Sequence, residues 1–276
     1  MKLPDRINRI VAGKPYTENL TGMSGSRVLM YDEFVLKIEK WRPENAETID
    51  VMRWLEGRIP VPTILAYEVT GGDSYILMSR IQGKMACDDY YLTRPEELVT
   101  LLAEALQMLW TVDVAGCPRE RTIDKELAEA RYRVENSLVD LDNVEPENFG
   151  PETFEPETFE PETFGPGGFR DPEELLAWLY ENKPTYEPVL SHGDFCLPNI
   201  YLDNGKISGF IDLGDAGIGD KWRDIALCYR SLKHNAEGAY GGKVYPDTDP
   251  MQLFKKLQIE PDWDKIRFYL LMDELF

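Results

Sequence analysis

The chain predicts an α+β fold of two lobes, a small β-rich N-terminal lobe and a larger, mainly helical C-terminal lobe. Three observations carry this expectation. The 276 residues are too many for one small core and suit two lobes sharing a cleft. Short β-favouring runs crowd into residues 1–80. Beyond them come helix start signals, each followed by an apolar stripe.

In order along the chain, Arg27 to Tyr31 and Glu33 to Glu39 read as strands joined by a tight turn at Tyr31-Asp32-Glu33. From Glu44 to Leu55 the apolar residues Ile49, Met52 and Leu55 recur at three-residue steps, the spacing of a helix face. Ser74 to Ser79 is a further strand, and the polar Arg80-Ile81-Gln82-Gly83 reads as the hinge between lobes. The second lobe, residues 81–276, opens on Thr93-Arg94-Pro95-Glu96, which has the form of a capping box. Leu98, Leu101, Leu102, Ala105 and Leu109 form one stripe after it. Asp171-Pro172-Glu173-Glu174 repeats the start signal, with proline at the first helical position and Leu175, Leu176 and Leu179 behind it. Trp222 to Leu232 reads as a helix, and a last helix runs from about Asp262 with Trp263, Ile266 and Leu270 on its buried side.

Charge narrows the partners. Thirty basic against fifty acidic residues leave a net charge of −20, which argues against a nucleic-acid partner. The same field would attract cationic ligands, although acidity also serves solubility. There is no long apolar run, and Met1-Lys2-Leu3-Pro4-Asp5 turns polar at once, so neither a membrane span nor a signal peptide is expected. Cys87, Cys117, Cys196 and Cys228 are widely spaced with no C-x-x-C pair, which reads as free thiols in a cytoplasmic protein.

Half of the acidic surplus lies in one stretch. Between Arg133 and Arg170 there is no Lys or Arg, but there are Glu135, Asp140, Asp142, Glu145, Glu147, Glu152, Glu155, Glu157, Glu160 and Glu162. Within it a five-residue repeat starts at Pro146, Pro151, Pro156 and Pro161 and fades at Pro166, inside an insertion at 143–169. A period of five fits neither helix nor strand, and proline in each unit breaks a helix. Two readings stand side by side: a repeat expansion in a tolerant surface loop, or an acidic, aromatic flap over a polycationic substrate.

The chemistry concentrates at Ser191-His192-Gly193-Asp194-Phe195-Cys196-Leu197-Pro198-Asn199, followed by Ile211-Asp212-Leu213-Gly214. The pattern is H-G-D-x-x-x-x-N and then D-L-G. Phosphoryl transfer of the kinase type needs one carboxylate to take the proton of an attacking hydroxyl, and an amide oxygen and second carboxylate to hold magnesium on the nucleotide phosphates. Between the two motifs, Asp203-Asn204-Gly205-Lys206 carries the strongest two-residue hairpin signal. With Asn204-Gly205 as the turn, Asn199 would lie opposite Phe210 and diagonal to Asp212. That separation suits two ligands of one Mg²⁺. Asp194, on an irregular loop, stays free to face substrate. His192 is one of two histidines and reads as a residue that holds the loop.

The segment from Leu190 to Leu232 closely resembles the bacterial aminoglycoside 3′-phosphotransferases, a family of antibiotic-resistance kinases with a protein-kinase-like fold. The likeness extends to Thr21-Gly22-Met23-Ser24, Val35-Leu36-Lys37, Trp54-Leu55-Glu56-Gly57 with Pro60-Val61-Pro62, Leu77-Met78-Ser79 and the terminal Leu270 to Phe276. It implies ATP-dependent phosphorylation of an aminoglycoside hydroxyl, at the 3′ position, with Asp194 as catalytic base and Asn199 and Asp212 on Mg²⁺. It also implies that residues 1–80 bind nucleotide: Lys37 would hold the phosphates, Ser24 would cover them, and backbone groups of Ser79 and Ile81 would hold adenine. Val35 stands where many members stack an aromatic on adenine, which leaves ATP against GTP open. A helix glutamate would hold Lys37. Glu47 is the expectation, although ungapped alignment on Trp54-Leu55-Glu56-Gly57 puts Thr48 there. The family often has an arginine where this chain has Asp215, which would add negative charge beside the site. Asp273, Glu274 and the Phe276 carboxylate would bind substrate ammonium groups. Acids in the last turn oppose the helix dipole, so a bound cation would offset them. The protein would act as monomer or dimer. The rival readings are a kinase for another small cation such as choline, and a catalytically inactive drug-binding protein.

Overall fold

The computed structural model describes residues 3–19, 26–139 and 168–276. Ser24 with the loop around it, and the proline repeat from 146 to 167, lie outside the described residues. Helix α1 (Asp5–Val11) leads into strands β1 (Thr17–Asn19), β2 (Arg27–Met30) and β3 (Phe34–Lys40). Helix α2 (Pro43–Leu55) and strands β4 (Ile64–Thr70) and β5 (Asp73–Ser79) follow. After the hinge come β6 (Lys84–Met85), α3 (Asp89–Leu92), α4 (Pro95–Trp110), α5 (Ile123–Glu135) and α6 (Pro172–Glu181). The chain continues through β7 (Pro188–Ser191), β8 (Ile200–Asp203), β9 (Lys206–Phe210), β10 (Gly217–Asp220), α7 (Lys221–Glu237), α8 (Gln252–Leu257) and α9 (Trp263–Asp273).

The first five strands form one antiparallel sheet in the order β1-β2-β3-β5-β4. Alternation along β3 buries Leu36 and Ile38 in a small core with Ile7, Leu29 and Leu77. It turns Val35, Lys37 and Glu39 to the other, half-buried face. The larger core is helical, built on Leu98, Leu102 and Leu109 of α4, Ile225 and Leu232 of α7, and Ile266 and Leu270 of α9. Val51, Met52 and Leu55 of α2 pack into this larger core, so α2 belongs to the sheet region by sequence and to the helical region by packing. The two-lobed α+β expectation holds. Among the described residues no helix is long and apolar enough to cross a membrane.

Most elements sit within a residue or two of their predicted limits. At α6 Asp171 caps the helix: Glu174 N donates to Asp171 Oδ1 at 2.8 Å, and Glu174 Oε2 accepts from Arg170 N, one residue before the cap, at 2.6 Å. The capping box expected at Thr93 is not formed. Thr93 closes the preceding α3 instead, its hydroxyl donating to Asp89 O at 2.8 Å, and Arg94 takes the N-cap position of α4 without a side-chain cap. A threonine between two helices can serve only one of them, and the four-residue α3 left carbonyls to satisfy.

Candidate active site

The loop after β7 is held from below. His192 Nε2 lies 2.9 Å from Ile211 O, and because a carbonyl can only accept, that nitrogen carries the proton. Nδ1 therefore accepts, and Asp194 N donates to it at 3.3 Å. Both ring nitrogens are engaged within the protein, which leaves His192 the loop-holding role the sequence predicted. Gly193 has φ +83°, and a Cβ there would lie 2.4 Å from Asp215 O, so only glycine lets the loop cross the D-L-G turn. Asp194 itself is half-buried. Asn199 Nδ2 donates to Asp194 Oδ2 at 2.7 Å and to its backbone O at 3.0 Å. The Cys196 thiol is pushed well above its ordinary pKa, by burial first and by the Asp194 charge second, so it is no thiolate nucleophile.

The hairpin forms as predicted at its turn and differs at its far end. Asn204 and Gly205 both have positive φ, 48° and 71°, the signature of a two-residue hairpin turn. Asp203 pairs with Lys206 and Leu202 with Ile207, but Tyr201 pairs with Gly209 and Ile200 with Phe210. A bulge at Ser208 inserts one residue. The Ser208 hydroxyl donates to Gln82 O at 2.6 Å, tying the bulge to the hinge. The register therefore shifts by one. Asn199 lies opposite Ile211, whose N–H donates to Asn199 O at 2.9 Å, and not opposite Phe210. Asp212 then leaves the ladder with φ 54° and ψ 59°, a left-handed conformation that Asp tolerates better than most residues. Its side chain is 59% exposed and faces Lys37, with Nζ to Oδ1 at 3.7 Å.

Lys37 has a second acid. Its Nζ lies 3.3 Å from Glu39 Oε2. Burial works against the ammonium charge, but the Asp212 and Glu39 carboxylates outweigh it and hold the lysine above its ordinary pKa. Glu47, the expected partner, is exposed, and among the described residues it makes no ion pair with Lys37. The reason is helical phase. One position on, Thr48 faces Arg119: its hydroxyl donates to Glu44 O at 3.0 Å and accepts from Arg119 Nη2 at 3.0 Å.

At the hinge, Ser79 N donates to Thr63 O at 2.9 Å, so that N–H is already used. Ile81 N–H has no backbone partner among the described residues. At the end of α9, the acids expected to bind substrate are met from within the protein. Arg230 donates to the Asp273 carboxylate and lies 3.7 Å from Glu274 Oε1. Arg133 Nε donates to Leu275 O at 2.7 Å and a second nitrogen donates to Phe276 O. These cations already offset the dipole opposition that the sequence ascribed to a ligand. Asp273 stays 29% exposed, whereas Glu274 is only 5% exposed.

A profile of the phosphotransferase enzyme family matches residues 17–269. An aminoglycoside 3′-phosphotransferase from Enterococcus faecalis is 39% identical over 230 residues, covering 82% of this chain and 77% of that one. One from Staphylococcus aureus is 33% identical over 287 aligned positions, covering 100% and 99%. The chain belongs to the aminoglycoside 3′-phosphotransferase family. Among solved structures, this phosphotransferase shares its fold with an aminoglycoside phosphotransferase from Streptomyces rimosus, at TM-score 0.77 and 24% identity over 98% of this chain and 95% of that one. The same Streptomyces enzyme has been solved with ADP and streptomycin, and matches with TM-score 0.73 and 23% identity over 98% and 95% of the two chains.

The phosphotransferase also has a buried polar frame that sequence reasoning missed. Asp224 accepts from Ser191 Oγ at 3.0 Å, His192 N at 2.8 Å and Gly193 N at 2.9 Å. Burial pushes this carboxyl above its usual range, and those donors oppose the rise. Arg223 Nε donates to Gly193 O at 2.7 Å, its guanidinium pairs with Glu126, and burial pulls it down to about 10. Arg121 sits 2.9 Å from Glu129 and 3.1 Å from Asp215, which balances the negative charge that Asp215 was expected to add. Arg119 donates to Gly214 O of the D-L-G turn as well as to Thr48. The sequence signal for Asp224 was an acid heading the apolar run Ile225-Ala226-Leu227-Cys228. Such a placement signals a buried carboxylate with dedicated donors.

Proposed function

We propose that the chain is a Mg·ATP-dependent kinase that phosphorylates the 3′-hydroxyl of an aminoglycoside antibiotic and so confers resistance. One observation carries the chemistry: Asp194 is bonded to Asn199, and Asp212, at the end of the hairpin that follows them, is paired with Lys37 of the sheet. The names of the relatives supply the substrate class. Residues 1–80 would bind the nucleotide and 81–276 would carry catalysis and the substrate.

Asp194 accepts the proton of the attacking hydroxyl, oriented by the Asn199 amide. Because Asn199 Nδ2 is spent on Asp194, its Oδ1 is left as an acceptor. Asp212 adds an exposed carboxylate. Two hard oxygen donors fit magnesium, which normally takes one or two protein groups and completes its shell with phosphate and water. When bound there, magnesium neutralises charge developing on the phosphates. Lys37 holds the phosphates, and the Ile81 N–H and the Ser79 backbone hold the base, ATP or GTP. Asp273, partly exposed beside its Arg230 partner, takes a substrate ammonium, and Glu274 and the Phe276 carboxylate stand beside it. The surplus of negative charge draws a polycation and repels nucleic acid. The reaction would proceed in the cytoplasm, where the nucleotide is available.

A coupled assay over a panel of aminoglycosides and choline, with product mapping, tests the reading. ATP consumption should require an aminoglycoside bearing a 3′-hydroxyl, and the phosphate should be found there. Turnover with choline alone would refute it, as would drug binding without turnover. Within an active enzyme, Asp273→Asn should raise the aminoglycoside KM about tenfold, the scale of one charge-assisted contact, and leave the ATP KM unchanged. An unchanged drug KM would remove Asp273 from the substrate site.

A further inference from the structure

We propose that Glu39, on the lysine's own strand, positions Lys37 for the nucleotide phosphates in place of a carboxylate on helix α2. The inference rests on the kinase reading above and concerns how this chain performs the lysine-holding task. Residues two apart on a strand share a face, so Lys37 and Glu39 stand side by side on the half-buried face of β3. Their ion pair spans 3.3 Å, and the Glu39 side chain is only 18% exposed. Two further donors fix that carboxylate. Asn45 Nδ2, in the first turn of α2, donates to Oε1 at 2.9 Å, and Ser26 Oγ donates to Oε2 at 3.2 Å. The amide of Asn45 is itself oriented, because Arg42 N donates to Oδ1 at 2.6 Å. Strand β3 is thus joined to helix α2 through Lys37, Glu39 and Asn45.

The other acid at Lys37 is Asp212, which is largely exposed and is the proposed magnesium ligand. A divalent cation would compete with the ammonium for that carboxylate. Glu39 would then remain as the acid that holds the lysine. Helix α2 offers no substitute. Thr48 spends its hydroxyl on Glu44 O and Arg119, and Glu47 lies about 100° further round and is exposed. Glu39 acts through Lys37 and is therefore a positioning residue.

The test compares Glu39→Gln, Glu39→Asp and Glu47→Gln in the full chain. Each is measured for ATP KM, aminoglycoside KM and direct Mg·ADP affinity. Glu39→Gln should weaken the ATP KM and Mg·ADP binding about tenfold, with the aminoglycoside KM held within about twofold. Glu39→Asp should recover part of the loss, and Glu47→Gln should stay close to the parent. The proposal is overturned if Glu39→Gln binds Mg·ADP as the parent does. It is also overturned if both KM values rise together, which would mark a packing role, or if Glu47→Gln has the larger effect. A parent that binds Mg·ADP but phosphorylates no aminoglycoside would fail the functional reading alone. The Mg·ADP comparison would still decide the place of Glu39.

Discussion

Asp194→Asn should cut turnover by at least about a hundredfold, the lower scale for loss of a general base. The substitution is close to isosteric, and its geometry argues that little else will change. Asn199 Nδ2 can still donate to the remaining carbonyl oxygen at position 194, and the bond from the 194 N–H to His192 Nδ1 uses backbone alone. The Asp224 frame beneath Ser191, His192 and Gly193 does not involve the 194 side chain. Mg·ADP affinity should therefore stay within about twofold, since Lys37 and Asp212 are untouched. A coupled assay with a binding titration separates the two quantities. Near-normal turnover in Asp194→Asn would sink the kinase assignment, whatever the nucleotide affinity.

What the sequence disclosed and what it concealed divide along one physical line. The groups proposed for the reaction were legible because their placement is local. Asp194 and Asn199 share one loop, and Asn204-Gly205 announces the turn that brings Asp212 back. The helix at Pro172 was legible because its cap is written in adjacent residues. The bulge at Ser208 was not, because it is fixed by a bond to Gln82, 126 residues earlier. The contact of Lys37 with Glu39 was hidden for a different reason. A helix carboxylate was expected, and an acid two residues along the same strand looks like ordinary alternation until Asn45 is seen to hold it. Buried charges were the least legible. Arg133 reaches the terminal backbone across 143 residues, and Arg223 pairs with Glu126 across 97. A charged residue in an apolar stretch signals that a partner exists, not which residue it is.

Asp212→Ala should lower turnover by at least about a thousandfold, because the electrostatic stabilisation that a metal supplies amounts to several kcal/mol. Two effects would act together in that variant. The exposed carboxylate proposed for magnesium is lost, and with it the 3.7 Å contact to Lys37. Position 212 is also left-handed, with φ 54°, and alanine lacks the tolerance that Asp and Asn have for that region, a cost of roughly 1–2 kcal/mol. Asp212→Asn separates the two. It keeps the backbone preference and an oxygen donor but removes the charge. Its melting temperature should stay near the parent's while Asp212→Ala melts lower, and its turnover should be far closer to that of Asp212→Ala than to the parent. Excess chelator added to the parent should reproduce the loss of turnover without the loss of stability. If Asp212→Asn retains turnover within a few-fold of the parent, the charge at 212 is not what holds the metal.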